Sequence, residues 1–258
     1  MNLLEKYYNK FNEDKRLLSR HGQVEFFVAM HYIKEIIGER KNLNIIDIGA
    51  GTGRYSLELE KLGHKVTAVE LVNKNVSQIK IKSKSIVAKQ GNALDLKFKD
   101  NQFDIALLFG PLYHLFSRED KLRAISEAKR VLVDGGTLFI MYLTNEYAVI
   151  TYAIKEGNLQ KVLAEHKLDE KFNCITGPED LYSYVRLEEI DDLSKTSGLE
   201  RLDIIGVDGA TDYIRPYINK LSDEDFEIYK KYQLSISKRP ELLGASSHIM
   251  DILKKRNN

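Results

Sequence analysis

The sequence predicts an α/β protein built on a doubly wound, mostly parallel sheet. Three observations predict it. From residue 43 short apolar runs alternate with amphipathic stretches, the order expected of repeated β-α-β units. The first apolar run leads straight into a glycine-rich turn, "IIDIGAGTGRYS" at 45–56. The chain of 258 residues, 43% hydrophobic with 14 tyrosines and 10 phenylalanines, is long enough for one sizeable α/β domain with embellishments and supplies it with a core.

The elements follow in order. The first forty residues read as two amphipathic helices. Leu3, Leu4, Tyr7, Tyr8, Phe11 and Leu18 recur at helical spacing in one, and Phe26, Phe27, Met30, Ile33 and Ile37 in the other. Gly22, in "SRHG", marks the expected break between them. "LNIIDI" is a short buried strand and "RYSLELEKLG" a helix closed by Gly63. "KVTAVEL" is the next strand, followed by a helix over 75–84 and the strand "SIVAKQ". "FDIALLFG" is a fourth strand. Ser117 then opens a helix with Asp120 at the capping-box position, and Leu122, Ile125, Ala128 and Leu132 form its inner face. "DGG" at 134–136 turns the chain into the strand "TLFIMYL". Residues 146–185 break the alternation, helix-like at first and then mixed, with Pro178 and several aromatic residues. "LEEIDDLSKTSG" resumes it as a helix ending at Gly198, and "LERLDIIGV" is a sixth strand. Two helical stretches, 212–219 and 223–237, precede a last strand in "GASSHIMDILKK". No repeat or free linker is visible, so the chain reads as a single domain over 1–258. Its expected parts are a helical cap (1–39), a core (40–145 and 186–258) and an inserted lid or substrate segment (146–185).

Composition narrows the function. The formal net charge of +1 argues against a general nucleic-acid binder, which carries a clear basic excess. The single cysteine, Cys174, excludes an intramolecular disulfide and a cysteine-rich metal cluster, and no metal is expected. The N-terminus "MNLLEKYYNKFNEDKRLL" is charged throughout and lacks the apolar block of a signal peptide. No apolar run approaches the ~18 residues of a membrane span. A soluble cytoplasmic protein without membrane contact is the expectation, and the oligomeric state is not readable.

In a doubly wound sheet the ligand sits at the carboxyl ends of the strands, on the first strand-to-helix turn. A dinucleotide site wants G-x-G-x-x-G. Here Gly49, Gly51 and Gly53 give G-x-G-x-G, and Arg54 stands where the third dinucleotide glycine belongs. A phosphate loop would need Gly-Lys-Ser/Thr, which is absent. Both phosphate-cradling readings lose ground, and a nicotinamide-dependent oxidoreductase ranks last. Glu70, at the end of the second strand, is placed to accept both hydroxyls of an adenosine ribose; the alternative is an ordinary solvated strand end.

"IIDIGAGTGRYS", the acid in "VTAVEL", "GNALDL" at 91–96 and "VLVDGGTLFI" together resemble the successive motifs of class I S-adenosylmethionine-dependent methyltransferases. The resemblance covers residues 40–145 and returns over 186–207. It implies a Rossmann-like seven-stranded sheet whose last strand runs antiparallel. It implies S-adenosylmethionine as methyl donor, with S-adenosylhomocysteine as product. Carried over by position, Asp47 and the Gly49–Gly53 loop, with Ala50 and Gly51, would approach the methionine part and sugar. Glycine permits that approach because it has no Cβ. Glu70 would bind the ribose, and Asn92 and Ala93 the adenine. The family often has Asp where Asn92 stands. Leu71 or Val72 would pack on the adenine ring or belong to the core, and Phe109 joins the cofactor-binding set.

Methyl transfer from a sulfonium needs mainly a positioned nucleophile and exclusion of water. A base is needed only where the nucleophile must first lose a proton. The stretch expected to face the methyl group is "LFGPLYHLF" at 108–116. It resembles a variant found in small-molecule members of the family and departs from the Asn-Pro-Pro-Tyr motif of nucleobase amino-methylating enzymes. His114 is a candidate general base, or a histidine that only bonds the loop or packs by the adenine. Tyr113 is a candidate site residue, as pocket wall or cofactor contact before acid. "EDKRLLSRHGQVEF" resembles a leader that folds over the cofactor in relatives. There Arg20 or His21 would contact the cofactor carboxylate or the substrate; the alternative is a solvated helix-end charge. The aromatic-rich segment 146–185 is the expected substrate pocket. The function expected is methyl transfer to oxygen or nitrogen of a small metabolite. Its rivals are an RNA or protein methyltransferase and a non-catalytic S-adenosylmethionine-binding protein.

Overall fold

The computed structural model describes residues 18–257, so the first of the two expected N-terminal helices lies outside the described residues. The second is α1 (Arg20–Ile37). Its start falls within the expected "SRHG", at Ser19 rather than at Gly22 itself. Ser19 is the N-cap, its hydroxyl accepting from the Gly22 N–H, and Gly22 sits inside the first turn. The cap outweighs the glycine because it satisfies a backbone donor that the helix itself leaves orphaned.

The strands are β1 (Asn44–Ile48), β2 (Lys65–Glu70), β3 (Val87–Gln90), β4 (Phe103–Leu108), β5 (Leu132–Leu143), β6 (Glu200–Gly206) and β7 (His248–Lys254). They form one seven-stranded sheet in the order β3-β2-β1-β4-β5-β7-β6. β1 to β5 are parallel, and β7 runs antiparallel to both β5 and β6. Strands are added outward from β1 to β2 and β3 on one side and then from β4 on the other, which places the switch point beside β1. Four of the five β1 residues are buried, as a strand covered on both faces requires.

Helices cover both faces. On one, α1, α2 (Arg54–Lys61) and α3 (Asn73–Lys82) pack Val28, Ile33, Leu59 and Ile79 against Ile45 and Ile105. On the other, α4 (Arg118–Val131) and α7 (Leu187–Ser197) pack Ile125, Ala128, Ile190 and Leu193 against Ile46 and Ala106. Ser117 caps α4 through the Asp120 N–H. Gly198, in the left-handed region, ends α7. The expected turn at "DGG" lies within β5. Phe103 pairs with Leu132 and Ile105 with Thr137, so residues 133–136 bulge out of the ladder with Gly135 at φ +75°.

After β5 come α5 (Asn145–Ala148), a π-helical stretch Val149–Lys155, and α6 (Leu159–Ala164), then irregular chain back to α7. The helix expected over 212–219 shrinks to one turn, α8 (Arg215–Ile218), with Pro216 in its first turn. Proline has no N–H to extend a ladder backward. α9 (Asp223–Ile236) precedes β7. No described helix is long and apolar enough to cross a membrane.

Candidate functional site

The carboxyl ends of β1, β2 and β4 open into a cavity of about 350 Å³. The loop after β1 forms its floor. The Gly49 and Ala50 N–H groups donate to the Val69 carbonyl at 2.8 and 3.1 Å, which ties the loop to β2. Gly49, Gly51 and Gly53 all have positive φ. Two of them are also forced by packing. A Cβ on Gly49 would lie 2.5 Å from Pro111 Cδ, and one on Gly53 would lie 2.9 Å from Ile79 Cγ1. Gly53 starts α2 and is not among the cavity-lining residues, whereas Gly49, Ala50 and Gly51 are.

Asp47 is 1% exposed and accepts from Ser56 Oγ at 2.6 Å. Burial pushes its carboxyl up to about 6 against those hydrogen bonds. Glu70, 7% exposed, accepts from Gly51 N–H through one carboxylate oxygen at 2.9 Å and from Val72 N–H through the other at 2.8 Å. Burial raises its pKa while these bonds oppose the rise. Asn75 also hydrogen-bonds this carboxylate, and acceptor capacity remains for a further donor such as a ribose hydroxyl. Leu71 and Val72 line the wall beyond it. Asn92 and Ala93, just after β3, also line it, with Asn92 Oδ1 accepting from Leu94 N–H at 3.0 Å. That bond fixes the side chain and leaves its second lone pair and its amide donor. Phe109 meets Tyr55 edge-on at 4.9 Å, and Tyr55 meets Phe26 of α1 at 5.0 Å.

The other end of the cavity is lined by Tyr113 and His114, on a 3-10 turn over Pro111–His114, and by Pro178, Asp180 and Leu181. His114 Nδ1 lies 2.8 Å from the Leu181 carbonyl, and its ring packs on Tyr182 at 5.3 Å. A carbonyl only accepts, so Nδ1 carries the proton of the neutral ring. Burial pushes the His114 pKa down to about 4. The Ser183 N–H donates to the Tyr113 carbonyl at 2.8 Å, binding the 146–185 segment to this turn.

Arg20 is not among the lining residues. Its guanidinium lies 2.8 Å from Asp223 Oδ1 and 4.8 Å over the Phe226 ring, facing α9. Residues not singled out from sequence do line the cavity: buried Glu25 of α1, Asn75, Asp180 and Leu181. Arg54, noted from sequence only as a missing glycine, lines it too and stacks on Phe26 at 4.1 Å. Glu25 had a signal, since it is an acid inside the apolar run from Val24 to Met30. Asp180 and Leu181 fall in the 146–185 segment expected to form the substrate pocket, but nothing local marked them out within it.

Residues 46–140 match the model of a methyltransferase-domain family. Over these residues the chain is similar to the methyltransferase domain that the class I resemblance led us to expect. The strand order with its antiparallel β7 is the sheet that the resemblance implied, and the family's cofactor is S-adenosylmethionine. Among relatives, the chain is 31% identical over 114 residues to the probable tRNA methyltransferase 9B of Bos taurus, covering 42% of this chain and 23% of that one. It is 29% identical over 163 residues to a ubiquinone/menaquinone biosynthesis C-methyltransferase of Shewanella baltica, covering 60% and 62%. The chain therefore spans from about a quarter to just under two thirds of these relatives' lengths. A solved methyltransferase from Thermotoga maritima, described as a possible histamine N-methyltransferase, shares the fold with a TM-score of 0.60 at 20% identity, covering 98% of each chain.

Proposed function

We propose that this chain transfers a methyl group from S-adenosylmethionine to an oxygen or nitrogen of a small metabolite, acting as a single domain whose 146–185 segment closes the acceptor side. The observation that carries the reading is the cavity itself. Glu70 presents a buried carboxylate on one side, and Tyr113 and His114, backed by Leu181 and Ser183, close the other.

The residues fit the cofactor. The loop offers backbone at Gly49–Gly51 and Asp47 behind it for the amino-acid part, Glu70 for the ribose, and Asn92 and Ala93 for the adenine. The bound cofactor supplies an already activated methyl group. What remains for the chain is to hold the acceptor in line and exclude water. Tyr113 walls the acceptor. His114 takes a proton through Nε2 where the acceptor must lose one. As a weakly basic imidazole it stays neutral across the physiological range, so loss of activity from its protonation is expected only near pH 4.

Differential thermal stabilisation tests the reading. Ligand binding to the native state raises the melting temperature by mass action. S-adenosylhomocysteine at a hundredfold excess over its Kd is expected to add about 2.7 kcal/mol, and NAD nothing. Stabilisation by NAD alone would overturn the assignment. A labelled-methyl screen that marks RNA or protein and no metabolite would overturn the small-molecule acceptor.

A further inference from the structure

The 146–185 segment ends in a strap that crosses the turn after β4. Its alternate residues Leu181, Ser183 and Val185 each make a bond through their backbone to the chain beside them. The Leu181 carbonyl accepts from His114 Nδ1 at 2.8 Å. The Ser183 N–H donates to the Tyr113 carbonyl at 2.8 Å, and the Val185 N–H to the Leu143 carbonyl at 2.9 Å. Val185 also forms a parallel bridge with Thr144, just past the end of β5. The same short strap therefore holds both Tyr113 and His114.

A side chain from α4 holds the strap in turn. Ser183 is 4% exposed, and its hydroxyl lies 2.8 Å from Nζ of Lys121, in the first turn of α4. An ammonium only donates, so Ser183 Oγ accepts. Lys121 is itself 6% exposed, and lysine is almost never so buried unless it is paired. Burial lowers its pKa, and the acid that opposes the shift, Glu189 of α7, is exposed and acts through its charge alone.

An apolar side chain of similar length would occupy this place at lower cost, because it carries no charge to desolvate. Stability does not account for the ammonium, and the partner it serves is Ser183. Lys121 is not among the residues lining the cavity, whereas Leu181, two residues before Ser183, is. Holding Ser183 fixes the Leu181 carbonyl, and that carbonyl selects the tautomer of the imidazole. Since it accepts, Nδ1 carries the proton and Nε2 is the basic nitrogen. The other tautomer would present a donor where a base is needed.

We propose that Lys121 is a positioning residue for methyl transfer: by holding Ser183 it locks the 181–185 strap onto the Pro111–His114 turn and keeps His114 in the tautomer whose Nε2 is basic. The inference rests on the methyl-transfer reading. Lys121 acts through Ser183 and Leu181 and touches neither cofactor nor acceptor.

Three variants test it: Lys121→Met, Ser183→Ala and the double variant. Each is read for its melting temperature and, by nitrogen NMR of the S-adenosylhomocysteine complex, for the tautomer of His114, whose signals are assigned by their loss in His114→Ala. The tautomer is read without an acceptor. The third reading is the initial rate of labelled-methyl transfer from S-adenosylmethionine into a small-metabolite extract. The unaltered protein is expected to show the Nδ1–H tautomer alone. Lys121→Met should melt at the same temperature or higher, yet admit the second tautomer and transfer methyl about tenfold more slowly, part of the ~10²–10⁴-fold that a general base contributes. Ser183→Ala strips the buried ammonium of its acceptor and should melt lower. The double variant should recover that melting temperature while its rate stays as low as in either single variant.

An unchanged His114 tautomer or an unchanged rate in Lys121→Met overturns the proposal, and a lowered melting temperature beside either result makes the lysine structural only. Losses in rate that multiply in the double variant also overturn it, because the two residues would then act separately. Failure of S-adenosylhomocysteine to stabilise the unaltered protein would instead remove the underlying methyl-transfer reading.

Discussion

Asp47 shows how one side chain couples the cavity floor to pH. It is buried at the end of β1, its pKa moved from 3.8 up to about 6 because desolvation outweighs the Ser56 bonds. A carboxyl whose folded pKa is raised contributes stability that is full below its unfolded pKa and is lost as pH rises through the folded one. The window is therefore from about 4 to about 6. Urea unfolding of the ligand-free protein should show the unaltered chain losing on the order of 2–3 kcal/mol more than Asp47→Asn across that window, since one pKa unit corresponds to about 1.4 kcal/mol. Equal pH dependence in the two proteins would show that Asp47 is not the group responsible. Glu70 shifts in the same direction, so the difference between proteins, not the absolute slope, carries the test.

The glycine loop is decided at the scale of the element. Its three glycines read alike in sequence, yet their surroundings differ. Gly49 faces Pro111 of the turn after β4, and Gly53 faces Ile79 of α3. Both glycines allow elements to approach closely, and Gly51 lends its N–H to Glu70. Gly49→Ala places a Cβ 2.5 Å from the Pro111 ring at φ +79°, so both backbone strain and overlap oppose it. The expected cost is about 1–3 kcal/mol in chemical denaturation. S-adenosylhomocysteine binding should weaken with it, because the Pro111–His114 turn is pushed off the cavity. A Gly49→Ala protein of unchanged stability would show that the loop has room to spare.

Across the whole molecule, the antiparallel edge is held by Asp251, which is fully buried in β7. Arg201 of β6 grips it with two bonds, at 2.7 and 2.9 Å, and also reaches Asp191 of α7. One arginine, through two ion pairs, thus ties β6, β7 and α7 together. Asp251→Ala leaves the Arg201 charge only partly compensated in that interior and should cost about 3–5 kcal/mol, read as a lowered urea midpoint. A loss below the scatter of surface substitutions would mean that the edge is held by apolar packing alone.

Strand and helix order, and with it the fold class, was legible because burial imposes simple periods on a chain. The apolar runs of β1 to β5, the Ser117 cap and the Gly198 stop are local signals, and local physics produced them. That Glu70 and the glycine loop lie at the same sheet edge was also legible, since one β-α-β unit sets their spacing. Which residue of "SRHG" starts the helix was not legible, because a glycine break and a capped first turn look alike without the Ser19 bond. Tertiary structure alone decided the rest. It brought Leu181 from the 146–185 segment onto His114, some seventy residues earlier, and turned Arg20 toward Asp223. It also gathered Asp208, Asp212 and His248 at one edge. These contacts join residues far apart in the chain, and no local propensity or period encodes which of many polar side chains will meet. Only the closure of the sheet, with β7 inserted between β5 and β6, brings them within bonding distance.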